Sequence, residues 1–176
     1  MKNLFKIILA FGFVFCTTLP LFSGTVKAKQ TSYLMNTKYI YNYQYGNGIK
    51  FYLEFWKKED GYYKWSNRDF GTAYKETKTG LYQEGTKILA YPIKSGKRWS
   101  EPSSNSTYTI KSTNRTIKTS AGTFTKVVEV RETVKGFGFH TSYFAPGKGV
   151  ILSTTNADYN DFDTEIHYKL IKIKKK

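Results

Sequence analysis

From residue 39 onward the chain alternates. Tyr39, Tyr41, Tyr43 and Tyr45 are separated by Ile40, Asn42 and Gln44, a period of two that predicts a β-strand with one aromatic face. Gly46-Asn47-Gly48 follows. These residues tolerate the positive φ of a tight reversal. The run 49–56 alternates again, with Phe51, Leu53 and Phe55 on one face, so the two runs predict a hairpin. Glu59-Asp60-Gly61 turns the chain into 62–65. A less regular stretch containing Gly71 and Gly80 leads to Leu81-Tyr82 and, after Gly85, to 88–93.

The second half repeats the style. Residues 100–106, rich in Ser and Asn and containing Pro102, predict a long connection within one domain. Strands are expected at 107–111, 116–119, 123–134, 140–144, 150–154 and 164–173. Ala121-Gly122 and Pro146-Gly147 are expected hairpin turns between antiparallel neighbours, and 156–163 an acidic loop. No window after the N-terminal segment has a helical stripe, and turns recur every 8–12 residues or so, as in all-β sandwiches and barrels. The predicted fold is all-β: a single antiparallel, strongly curved sheet forming a half-barrel or partly closed barrel. Trp99, the large apolar group at its corner, is expected to be a buried anchor.

The first 28 residues have another pattern. Lys2 and Lys6 precede a mostly apolar stretch, 7–22, and Val26-Lys27-Ala28 offers residues that a signal peptidase reads. This is the layout of a cleaved secretory signal, and the apolar stretch is short for a spanning helix. The expected organisation is therefore a signal peptide at 1–28 and a single secreted β domain at 29–176. The sole cysteine, Cys16, lies in the signal, so the domain has neither disulfide nor thiolate metal site. The competing reading is a lipidated Cys16, against which stands the bulky Phe15 just before it.

Aromatic residues make up 18% of the chain and charged ones 23%, a balance that excludes a disordered polymer and suits half-buried pleated surfaces. The formal charge of +15 falls to +12 when Lys2, Lys6 and Lys27 leave with the signal. Outside a cell such a charge meets anionic wall polymers or membrane surfaces. Lys172, Lys174, Lys175 and Lys176 are the candidate polyanion contacts. No specific nucleic-acid site, no membrane span after cleavage and no cofactor is implied.

Catalytic and metal chemistry find little support. His140 and His167 sit on expected strands without a third ligand at a metal-site spacing. Ser142 shares a strand face with His140 but lacks a nucleophile elbow. Glu129 and Glu132 fall on opposite faces, and Glu129 with Arg131 predicts a surface ion pair. Asp158, Asp161 and Asp163 could hold calcium loosely but lack the full loop register. Tyr45-Gly46-Asn47-Gly48-Ile49 matches the opening box of one antimicrobial peptide class, without its cysteines, and is read as hairpin chemistry. Most tyrosines are expected in the core or at its rim. For ligand contact the row Tyr39, Tyr41, Tyr43 and Tyr45 ranks first.

Three ordered segments carry a resemblance: Pro92-Ile93 with Gly96-Lys97-Arg98-Trp99, Ala121-Gly122-Thr123-Phe124, and Ala145-Pro146-Gly147-Lys148-Gly149-Val150. This block, over about 89–152, resembles a domain of uncharacterised secreted proteins and lipoproteins of Gram-positive and other bacteria. Ser120 stands where a proline commonly precedes Ala-Gly in that pattern. The resemblance implies a curved antiparallel sheet in the envelope and carries over no catalytic residue. The expected function is a secreted, non-enzymatic, envelope-associated protein that binds an apolar or anionic ligand or a wall polymer. The alternatives are an extracellular carboxylate-dependent hydrolase, betrayed by two inward carboxylates, and a secreted inhibitor or effector, betrayed by a large exposed apolar patch.

Overall fold

In the computed structural model, residues 30–67, 70–101, 105–156 and 165–176 are described. The expected export signal with Cys16, Pro102 and the aspartates of the expected acidic loop lie outside them. Alternation becomes strand along nearly all of the rest. The strands are β1 (Tyr39–Tyr45), β2 (Lys50–Glu59), β3 (Tyr62–Ser66), β4 (Gly71–Glu76), β5 (Gly80–Gln83) and β6 (Thr86–Ala90). They continue as β7 (Arg98–Ser100), β8 (Ser106–Thr119), β9 (Gly122–Val134), β10 (Gly138–Ala145), β11 (Gly149–Asn156) and β12 (Glu165–Lys175).

All pair antiparallel in one sheet, ordered β6-β5-β4-β3-β2-β1-β12-β11-β10-β9-β8-β7. The chain's first and last strands thus meet at the centre, Tyr39 opposite Lys175. The sheet curls into a nearly closed barrel with an unsealed seam between β6 and β7. A side chain spans that seam: Trp99 Nε1 donates to the Lys87 carbonyl at 2.8 Å, and the indole stacks on Tyr108 with centroids 5.3 Å apart. Trp99 is therefore a half-buried clasp rather than a buried anchor. The expected hairpins form, β1 with β2, β9 with β10 and β10 with β11.

Two expectations change. Residues 106–119 form one long strand, not two, because three register shifts against β9 absorb the polar stretch Ser112-Thr113-Asn114 as bulges. The irregular stretch before Leu81 is a strand, β4, whose Thr72 and Tyr74 face inward between flanking glycines.

The two barrel ends differ. The lower end holds the ends of β4, β6 and β10 and the start of β1. A strap, 31–36, closes it. Tyr33 and Met35 are buried there. Glu76 accepts from the Tyr33 amide at 2.9 Å, from Ser32 Oγ at 2.6 Å and from the Tyr91 hydroxyl. The Ser32 carbonyl accepts from the Gly147 amide at 2.9 Å. Gly149, at φ 71°, lies so close that a Cβ would meet Met35 Cγ at 2.8 Å, so this position excludes a side chain twice over. The bent tip of the β8–β9 hairpin adds Ile117, Ala121 and Phe124 to the cluster of Tyr41, Trp65, Ile151 and Leu170. A second cluster, built on Leu81, Leu89, Ile110, Val128 and Phe144, fills the barrel beside the seam. Each such side chain contributes about 1.5–3 kcal/mol by leaving water.

Candidate functional site

The upper end, where β1 ends and β2 and β12 begin, is not filled. A cavity of about 240 Å³ opens there. Phe51, Leu53, Tyr43, Tyr45 and Phe70 form one side. Thr72, Tyr74, Gln83, Val150 and Tyr168 form the rest, with His167 at the mouth. The rings pack on one another. Tyr43 stacks on Phe51 at 5.1 Å, Tyr45 lies 4.7 Å from Phe51, and Phe70 meets Phe51 edge-on at 6.3 Å. Such pairs contribute about 0.5–1.5 kcal/mol beyond burial, which holds the wall rigid around empty space.

Several of the lining polar side chains are partnered by the wall. Tyr43 donates its hydroxyl to the Val150 carbonyl at 3.1 Å. Gln83 Nε2 donates to Thr72 Oγ1 at 3.1 Å, and the Thr72 side chain is in turn hydrogen-bonded to Tyr74. Burial pushes the Tyr74 hydroxyl up to about 12 and raises those of Tyr43 and Tyr168 well above the usual tyrosine value. These hydroxyls stay neutral, and among the described residues no carboxylate lines the cavity. What remains for a visitor is mainly ring face and aliphatic surface, with Tyr45 and His167 as the polar groups of the rim.

A bulge aims His167 at the mouth. Against β11, Ser153 pairs with Tyr168 and Thr154 with Ile166, so His167 is the extra residue on β12. Bulges re-aim side chains in this way. The imidazole lies 5.9 Å from the Tyr45 ring and 6.1 Å from that of His140. Burial, and then the neighbouring His140, holds its pKa below the usual histidine value. The β1–β2 turn completes the rim: the Tyr45 amide donates to the Ile49 carbonyl at 2.9 Å. Gly46 is obligatory there, since a Cβ would sit 2.2 Å from the Ile166 carbonyl oxygen. Ile49, Phe70 and Ile166 stand exposed around the opening.

Of the predicted tyrosine row, the cavity takes Tyr43 and Tyr45. Tyr41 is fully buried, edge-on to Trp65, and accepts from the Asn36 amide at 2.8 Å. Tyr39 lies at the lower end with Lys148 Nζ 4.8 Å from its ring. Phe70, Thr72, Tyr74 and Gln83 were not singled out by the sequence. The signal for Thr72 and Tyr74 was a short alternation hidden by Gly71 and Gly80.

Of the predicted lysines, Lys172, Lys174 and Lys175 are exposed, whereas Lys176 pairs with Glu54 at 2.9 Å and donates to the Phe55 carbonyl. The expected Glu129–Arg131 ion pair does not form. Glu129 is buried and takes Arg115 Nε at 2.7 Å, because the β8–β9 hairpin bends Arg115 over it, while Arg131 stacks on Phe139 at 4.2 Å. Among the described residues no three His, Cys, Asp or Glu side chains converge on a metal position, and Ser142 makes no hydrogen bond to His140.

No protein-family model matches the chain, and no curated protein matches it in sequence. Two solved structures are similar in shape. One is a protein described as exported and of YmcC-like fold, from Bacteroides fragilis NCTC 9343. It has a TM-score of 0.48 and 12% identity, over 83% of this chain and 100% of that one. The other, from Parabacteroides distasonis ATCC 8503, is described as a lipoprotein. It has a TM-score of 0.44 and 10% identity, over 82% of this chain and 99% of that one. At these scores neither lends its description to this protein.

Proposed function

We propose that this is an exported, non-enzymatic binding protein that holds the apolar part of a small ligand in the upper cavity of its barrel. The observation that carries the reading is an open, ring-lined space whose deeper polar groups, Tyr43, Thr72 and Tyr74, are hydrogen-bonded to the wall. Apolar pockets with few free polar groups are the usual form of small-molecule sites. The cavity exceeds the ~150 Å³ of engineered apolar cavities that take up benzene. Export is supported by the layout of residues 1–28. Among the described residues no carboxylate lines the space, which favours binding over carboxylate-dependent hydrolysis.

Leu53→Phe tests the reading by placing a ring inside the cavity. Benzene and octanol, followed by ligand-observed NMR, should bind the native protein and lose at least tenfold in affinity for the variant. The variant's melting temperature should hold or rise, because it fills a void. Binding unchanged by Leu53→Phe would overturn the proposal.

A further inference from the structure

The outer face of β12, β1 and β2 carries a second pattern, independent of the cavity. Tyr168, Leu170 and Ile173 of β12 pack inward with the core clusters. Strict alternation would then put Lys169 and Lys172 on opposite faces. It does not, because β12 has a second bulge: Asn42 pairs with Lys172 and Tyr43 with Leu170, leaving Ile171 extra. The inserted residue brings Lys172 and Lys174 into phase with Lys169 on the outside. Across β1, Gln44 joins Lys169 to Lys50, and Asn42 joins Lys172 to Tyr52.

The result is a ladder of ammonium groups along β12 with Lys50 beside it. Residues two apart on a strand face repeat at about 6.8 Å. None of the four lysines forms an ion pair among the described residues. Glu54, the carboxylate on this face nearest to Lys174 through Ile40, is paired with Lys176 instead. An unneutralised row of charges at regular spacing is complementary to an anion that also repeats. Lysine binds phosphate as a point charge and needs no shaped pocket. Two large rings of β2 are exposed, Tyr52 at 38% and Trp56 at 65%. Trp56 lies towards the far end of the strand from Lys50, with Lys57 Nζ 4.6 Å from its ring. Stacking on bases requires a succession of aromatic platforms, and the four lysines alternate with none.

We infer that the β12–β1–β2 face is a track for a linear phosphodiester polymer without bases, a polyol phosphate chain, held by Lys50, Lys169, Lys172 and Lys174.

The test uses purified poly(glycerol phosphate), with dextran and oligothymidylate as comparison polymers. Two variants of the full domain carry the same change in net charge. One combines K169E, K172E and K174E. The other combines K94E, K111E and K118E, exposed lysines away from the track. Four phosphate contacts should make native affinity fall by ~50-fold between about 50 and 200 mM salt, if single-strand counterion release applies. The track variant should lose at least tenfold in affinity and most of the salt dependence. The comparison variant should keep the native salt dependence. A cooperative urea transition at the native midpoint confirms that each variant is folded, independently of both the track and the cavity. Equal losses in the two variants would overturn the inference in favour of bulk charge. Tighter binding of oligothymidylate than of poly(glycerol phosphate) would also overturn it.

Discussion

His167 is the titratable side chain at the cavity mouth, and its environment sets a pH dependence. Burial and His140 disfavour its charged form in the folded protein. The unfolded chain therefore binds that proton more readily. Its contribution to stability is complete above the unfolded value of about 6.5 and declines as pH falls from there through the lowered folded value. A ligand seated in the cavity removes more water from the ring and sharpens the effect. Affinity for octanol should thus fall between about pH 7 and pH 5.5, and His167→Gln should flatten that profile. The ring is largely exposed, so the effect on melting temperature is small and the binding profile is the readout. A profile identical in the native protein and the variant would remove His167 from the site.

Among the elements, the seam tests how one side chain replaces a ladder. Edge strands β6 and β7 share no backbone pairing, and Trp99 of β7, held by its stack on Tyr108 of β8, reaches across by a hydrogen bond to the Lys87 carbonyl of β6. Trp99→Phe keeps a ring on Tyr108 and drops the bond, at a cost of ~1 kcal/mol. Trp99→Ala loses both, at ~2–4 kcal/mol, less than a fully buried tryptophan. Urea unfolding separates the two variants, and equal losses would show that the bond adds nothing.

The strands, most hairpins and the curved all-β fold were legible because a period of two and glycine turns are local signals. The phase of β12 was not. Its bulges at His167 and Ile171 insert residues without altering composition, and each moves every later side chain to the other face. Tyr43 and Tyr45 were therefore recognisable as candidates from their own strand, whereas His167 at the mouth was not, and Lys169, legible as part of the terminal basic run, could not be put on one face with Lys172 and Lys174. The partner of Glu129 was equally hidden, since it depends on how the β8–β9 hairpin bends.

For the whole molecule, the contrast between a closed lower end and an open upper end rests on the strap. Glu76 ties it down by accepting from Ser32, the Tyr33 amide and Tyr91. Glu76→Ala leaves two part-buried donors unpartnered and should cost ~2–4 kcal/mol. Hydrogen exchange should quicken at the Tyr33 amide first, while the β1–β12 ladder stays protected. Exchange that quickens equally everywhere would mean that the strap is no separate unit of stability.

The strand order also governs timing. A ribosome delivers β1 early, but β1 needs β12, the last strand made, on its second side. At about 5–20 residues per second, its edge stays open for roughly ten seconds after it emerges. During that interval the six N-terminal strands can form hairpins but no barrel, because the piece that joins the two halves does not yet exist. The barrel therefore stays open until β12 is made, a delay set by strand order and not by any single contact.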